Sequence, residues 1–382
     1  MQTNKRWLYL FICILSILPI CCYAQVKRAM NIGFPVKVQM DDEYKKIIDV
    51  LEKYFSSVNY SKSQDSCWVQ SDFKNSYFPG FKLVTTQRSD YFNDDHYYKP
   101  TLLSIVQLDS CDLAYIAFSH QENNELANVS SIIKVLITEV NGKKKIGNGF
   151  NFNLKKYKWK HNKVGVIDYY NAPQLSINYQ QADSMNNFNE LIAERMQTKL
   201  IRFSYLVSDN FEQLQQIKGI LYEATSFVGA QAETYSKRIY VSTGTFYYPH
   251  ELVHLYTYQL FKYGYFHSLF YEGLATYWGG SRGRSLQKHL EDISRYTKAN
   301  SSISLEDINN YKTIWVNGYT DTFYAIGGLI CKLAYEKQGF KGLETLFNAG
   351  TTNANAYEAI EKVLGVKKAD LNVFLRKELQ KY

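Results

Sequence analysis

Several features that would settle the class of this chain at once are missing from it. No internal repeat and no low-complexity segment runs through the sequence, which excludes stacked-repeat and fibrous architectures. Beyond residue 20 no apolar run is long enough to span a membrane. Lys and Arg total 44 against 36 Asp and Glu, a formal net charge of +8. No basic cluster accompanies a nucleic-acid motif, so the excess reads as a solvated surface and no nucleic-acid partner is expected. Cysteine is scarce. Of six, Cys13, Cys21 and Cys22 lie in an N-terminal leader, leaving Cys67, Cys111 and Cys331. Three scattered cysteines make no zinc site. Cys67 and Cys111 could pair in an exported protein, and Cys331, on an apolar helical stretch, reads as a buried thiol.

What is present points to an exported globular protein. Hydrophobic residues make up 46% and charged residues 21% of 382 residues, enough for two domains with real cores. There are 33 tyrosines, and a ring with a polar tip suits a cleft that handles polymers. Lys5 and Arg6 precede an apolar run from Trp7 to Ile20, and Cys21-Cys22-Tyr23-Ala24 follows. This is the charged, apolar and small-residue order of a signal peptide, residues 1–24, cut after Ala24. Lipidation at Cys21 or Cys22 and an uncleaved anchor are the alternatives. The expected location is periplasmic, cell-surface or secreted.

The pattern divides near residue 175. In residues 25–175 Asp42 can cap a helix through Phe55, with Tyr44, Ile47, Ile48, Leu51, Tyr54 and Phe55 on one face. Strands are expected at Leu102–Leu108, Leu113–Phe118, Ile132–Val140 and Val164–Tyr170, with Asn141-Gly142 as a hairpin turn. A helix followed by a curved antiparallel sheet makes this an α+β domain, similar in outline to the nuclear-transport-factor-2-like (NTF2-like) fold, with substrate recognition or control of access to the cleft as its expected role. Residues 176–382 read as mostly helical. Helices are expected at Met185–Lys199 and Phe211–Thr225, and strands at Ile201–Val207 and Arg238–Thr243.

The chemistry is concentrated in Tyr248-Pro249-His250-Glu251-Leu252-Val253-His254, an H-E-x-x-H motif. On a helix two histidines four apart project from one face, which suits two nitrogen ligands on one tetrahedral Zn²⁺. Glu251 then lies beside the metal, where it can take a proton from water. Pro249 suits a first helical turn. A catalytic site needs a third ligand and an open fourth position. Glu272, in Tyr271-Glu272-Gly273-Leu274-Ala275-Thr276-Tyr277, follows His254 by 18 positions. That gap fits a helix, a turn around Gly264 and a second, antiparallel helix.

These two segments resemble the gluzincin metallopeptidases, the group that includes thermolysin and the aminopeptidase N family. The tail adds to the likeness through Tyr324-Ala325-Ile326-Gly327-Gly328, Tyr335-Glu336-Lys337-Gln338-Gly339 and the run from Ala359 to Tyr382. The similarity covers roughly residues 200–382. It implies a thermolysin-like zincin domain with His250, His254 and Glu272 as zinc ligands, Glu251 as general base, and a tyrosine donor for the oxyanion. Tyr324 matches that donor best and Tyr319 is the alternative. Two departures stand out. The aminopeptidase G-x-M-E-N motif has only a distant echo in Gly229-Ala230-Gln231-Ala232-Glu233, and Thr276 stands where some members place a histidine-orienting acid.

The reading is therefore a zinc metallopeptidase acting on peptides or proteins. A binding protein of the cell envelope on a peptidase scaffold, with little or no activity, and a zinc hydrolase of non-peptide substrates are its rivals. His267 reads as a loop histidine, and His96, His120, His161 and His289 as surface residues. Glu233 reads as a solvated strand end, with contact to a substrate amine as the alternative.

Overall fold

A computed structural model describes residues 30–56, 66–69, 99–120, 128–224, 229–261 and 265–382. The expected leader, the turn around Gly264 and His96 lie outside them. The protein is α+β and divides into two compact units, residues 1–74 with 80–148 and 222–224, and residues 75–79 with 149–221 and 225–382.

In the first unit a short strand β1 (Asn31–Ile32) leads into helices α1 (Phe34–Val38) and α2 (Asp42–Ser56). The helix α2 buries the expected face of Tyr44, Ile47, Ile48, Leu51, Tyr54 and Phe55. Its first turn is tied down by Asp41, whose carboxylate accepts the Tyr44 N–H at 2.8 Å, while Asp42 is already helical. Strands β2 (Lys99–Gln107), β3 (Asp112–His120), β4 (Asn128–Val140) and β5 (Lys143–Gly147) form an antiparallel meander, with β1 parallel to β2 at one edge. Bulges interrupt the register between Leu102 and Ser104 and between Phe118 and Ser119. The β4–β5 turn is Asn141-Gly142, both at positive φ (52° and 72°), as a two-residue hairpin on a right-twisted ribbon requires. No disulfide joins Cys67 to Cys111.

The second unit starts at residue 149, ahead of the expected boundary at 175, because the strand expected at Val164–Tyr170 belongs to it. That strand is a hairpin, β6 (Lys160–Val164) and β7 (Ile167–Asn171), turned at Gly165, where φ is +56°. β7 pairs in parallel with β8 (Phe203–Val207), and β8 with β11 (Arg238–Val241). With β9 (Ile220–Glu223) leading out of this unit, β10 (Ala230–Glu233) closes the far edge antiparallel to β11, giving the order β10-β11-β8-β7-β6. α3 (Gly149–Lys156) precedes the sheet, and α4 (Tyr179–Arg195) and α5 (Phe211–Lys218) make the crossovers. α4 begins earlier than its apolar periodicity predicts because Asn178 caps it. α5 stops short of Thr225 because Gly219 takes a left-handed conformation (φ 79°).

A helical array follows: α6 (Pro249–Leu260), α7 (Ser268–Gly279), α8 (Leu286–Ala299), α9 (Ile308–Tyr311), α10 (Thr322–Gln338), α11 (Phe340–Phe347), α12 (Asn353–Leu364) and α13 (Leu371–Leu379). They share one core with the sheet. α6 is buried on all sides from His250 to Thr257, so it runs through the interior. Pro249 opens it at the first turn, as expected. α7 and α10 meet through glycines: a Cβ on Gly273 would lie 2.3 Å from the Gly327 backbone. Cys331 is fully buried on α10, with its thiol facing the Phe270 carbonyl.

Candidate metal centre and cleft

Helix geometry places His250 and His254 on one face of α6, and α7 brings Glu272 to them. One Glu272 carboxylate oxygen lies 3.3 Å from His250 Nε2 and 3.5 Å from His254 Nε2. The three donor atoms fall within 4.8 Å of one another. A direct charged hydrogen bond would close to about 2.7–2.9 Å. Ligands at about 2.0–2.1 Å from a shared tetrahedral ion stand roughly 3.3 Å apart. The observed spacings match the second case, so the residues suit a divalent metal.

The α6–α7 junction makes this convergence tight. Gly279 sits against the start of α6, where a Cβ would meet His250 N at 2.5 Å. The chain then turns through Gly280, whose carbonyl receives His250 Nδ1 at 2.6 Å. This bond fixes the ring so that Nε2 faces Glu272. His254 Nδ1 is buried without a hydrogen-bond partner among the described residues, and its ring stacks on Tyr271 at 4.0 Å. Thr276 does not replace the missing acid: its hydroxyl bonds the Glu272 carbonyl on its own helix. Burial works against the Glu272 carboxylate, yet His254 and His250 hold its pKa far below the ordinary range. Burial also opposes charge on His250, and Glu272 and Glu251 overcome it, raising the imidazole pKa.

Glu251 is buried beside the triad, and one of its oxygens accepts the Ala232 N–H of edge strand β10 at 2.7 Å. A cleft of about 780 Å³ opens over it, lined among others by Ala230, Thr243, Tyr247, Tyr248, His250, Glu251, Arg282 and Tyr324. Tyr324, on the first turn of α10, stacks on the His250 ring at 5.9 Å. Burial, then Glu272 and Asp321, push its pKa well up, so the phenol stays a proton donor. Asp321 caps α10 through the Tyr324 N–H at 2.9 Å and so fixes where this ring stands. Tyr319 is 61% exposed, and the Arg284 guanidinium covers its ring at 5.8 Å. It does not line the cleft.

Glu233 and His289 depart from expectation. Glu233 is neither solvated nor in the cleft: Arg238, Ser236 and Tyr240 engage its carboxylate. His267 lies in the loop before α7, as expected, where it is buried, caps that helix through the Leu269 N–H and contacts Asn353 at 2.8 Å. His289 is buried, not superficial, and bonds Thr320 and the Ser281 carbonyl. His161 is exposed as expected, stacked on Tyr170. The sequence reading missed Tyr248 and Arg282. Tyr248 adjoins the motif, and burial with the Glu251 charge raises its phenol pKa. Arg282 had a weak signal in the glycine-rich Gly279–Arg284 segment. Compared with known protein families the chain matches none, and no curated protein matches it.

Proposed function

We propose that the protein is a zinc-dependent peptidase of the gluzincin type, with the second unit as its zincin domain. The observation that carries this reading is the convergence of His250, His254 and Glu272 within 4.8 Å, with a further buried carboxylate, Glu251, next to them. A purely structural zinc site has no use for that second acid. We extend the proposal to an NTF2-like outline for the first unit and to action outside the cytoplasm, the latter resting on the leader-like residues 1–24.

In this mechanism His250, His254 and Glu272 hold Zn²⁺, a Lewis acid that polarises a carbonyl and acidifies water. Glu251 takes the proton from the attacking water and passes it to the leaving amine. The Ala232 N–H steadies the second Glu251 oxygen, so the carboxylate keeps one orientation while it works. Tyr324, held protonated by its surroundings, donates a hydrogen bond to the oxygen where negative charge develops. Tyr247 and Tyr248 wall the cleft and displace water from it. The carboxylate of Glu233, which would be the amine anchor of an aminopeptidase, is spent on Arg238, Ser236 and Tyr240. That favours cleavage inside peptides over removal of the N-terminal residue.

The test uses the purified chain with measured zinc content and a peptide library. Chelator-sensitive cleavage is expected, and Glu251→Gln should keep zinc while turnover drops roughly 10²–10⁴-fold. A fully zinc-loaded sample that cleaves nothing would leave the binding-protein reading in its place. Undiminished cleavage by Glu251→Gln would remove that residue from the mechanism.

A further inference from the structure

Resting on the peptidase reading, we propose that Arg282 makes the cleft select peptides that present a carboxylate, either a C-terminal carboxylate or an acidic side chain. Arg282 is the fixed cation among the lining residues, which otherwise contribute tyrosines, small residues and the catalytic groups. Its side chain is 43% exposed, and its guanidinium lies over the Trp315 ring at 4.5 Å. The nearest carboxylate, Asp321, is 4.0 Å away, beyond hydrogen-bond reach. Its Oδ1 caps α10, and the oxygen facing Arg282 is Oδ2. Among the described residues the guanidinium donors therefore meet no acceptor within hydrogen-bond reach, while the group rests over an aromatic ring. A planar, oriented fork with open donors is the arrangement that binds a carboxylate through two parallel bonds.

The backbone beneath Arg282 is built to hold this position. Ser281 and Arg284 exchange two backbone hydrogen bonds, at 2.9 and 3.0 Å, and close a two-residue turn. Arg282 and Gly283 occupy its tip with φ of +52° and +74°, a conformation that favours Asn or Gly and disfavours a long side chain. Buried groups brace both ends. His289 binds the Ser281 carbonyl at 3.0 Å, and Asp292 binds Arg284 at 2.7 Å. Asn317 and Thr320 reach the same Asp292 oxygen at 2.8 and 3.0 Å and so tie the segment that carries Trp315 to the turn. Tyr248 at the entrance of α6 and Arg282 on the turn line the same cleft. The cation and the triad are thus parts of one preorganised wall.

Binding, measured apart from turnover, decides the matter. In the zinc-loaded Glu251→Gln background, fluorescein-labelled octapeptides of a randomised library are compared as free acids and as C-terminal amides, and the amides with Glu or Gln at each position in turn. At least one acidic member of these pairs should bind about 10- to 100-fold more tightly than its neutral partner. The preference should vanish in Arg282→Gln, persist in weakened form in Arg282→Lys and turn towards Lys-containing peptides in Arg282→Glu. Unchanged zinc content and melting temperature show that the variants fold. The acid/amide and Glu/Gln pairs tell the two carboxylate sources apart. Equal affinities within every pair, a preference that survives Arg282→Gln, or no binding of any peptide would overturn the proposal. Acid-selective binding with no cleavage by the zinc-loaded parent chain would instead sink the peptidase reading and leave this one standing.

Discussion

The helices that carry the triad and the turn that carries Arg282 border the same cleft, but they are held by different means. His250, Glu251 and His254 occupy one turn of α6, so their mutual placement follows from helix geometry before any tertiary contact forms. Glu272 joins them because α7 presses its glycine end against the backbone of α6, where a Cβ would stand 2.5 Å from His250 N. The Ser281–Arg284 turn has no such regularity. It keeps its shape through His289, Asp292, Asn317 and Thr320, contributed by later segments. One part is fixed by close backbone packing and the other by a buried polar network. They should therefore fail under different perturbations.

The largest separation should appear between two tyrosines. Tyr324 stands on a helix beside His250, whereas Tyr319 lies in the exposed segment before it. Tyr324→Phe should lower kcat roughly 10²- to 10³-fold with little change in KM, and Tyr319→Phe should leave both near the parent values. Steady-state kinetics on one cleaved peptide checks this, and a large loss confined to Tyr319→Phe would move the donor off the helix.

A smaller effect separates two glycines. Gly279→Ala forces a methyl into the α6 backbone and should cost about 1–3 kcal/mol of stability, with weaker zinc retention. Gly283→Ala meets nothing within 4 Å. It should cost only about 1 kcal/mol, through its positive φ, with zinc retention intact. Urea unfolding with metal analysis reads both quantities. Equal zinc loss in the two variants would contradict the division between packing and turn.

The smallest effect is a pH dependence in the brace. Burial opposes charge on Asp292, but Asn317, Arg284 and Thr320 prevail and hold its pKa at about 2, below the ordinary 3.8. A carboxyl with a depressed folded pKa stabilises fully above its unfolded value and ceases to do so as pH falls through the folded one. Stability should therefore decline from about pH 4 towards pH 2, and Asp292→Asn should flatten that part of the curve. An unaltered slope would mean that Asp292 does not hold the turn through its charge.

Legibility in the sequence followed the range of the forces involved. The buried face of α2, the Asn141-Gly142 turn and the start of α6 at Pro249 all depend on neighbours a few residues away, and each was visible as a pattern. The hairpin turned at Gly165 read as one strand, because only its parallel pairing with β8 separates it from the first unit's sheet. Glu233 read as solvated because its partners Arg238 and Tyr240 lie across a strand pair. His289 looked superficial because its hydrogen-bond partners are Ser281 and Thr320, the latter 31 residues away.

By itself the sequence determined which side chains could act together on one helix, since the spacing of His250, Glu251 and His254 converts directly into a shared face through the 3.6-residue period. Only the tertiary structure decided that Glu272 reaches both imidazoles, that Tyr324 and not Tyr319 stands beside His250, and that Arg282 lines the same cleft. The first two relations depend on how closely one backbone can approach another at Gly273, Gly279 and Gly327, and the third on the buried groups His289 and Asp292 that hold the Ser281–Arg284 turn, properties of packed surfaces that no local pattern of residues encodes.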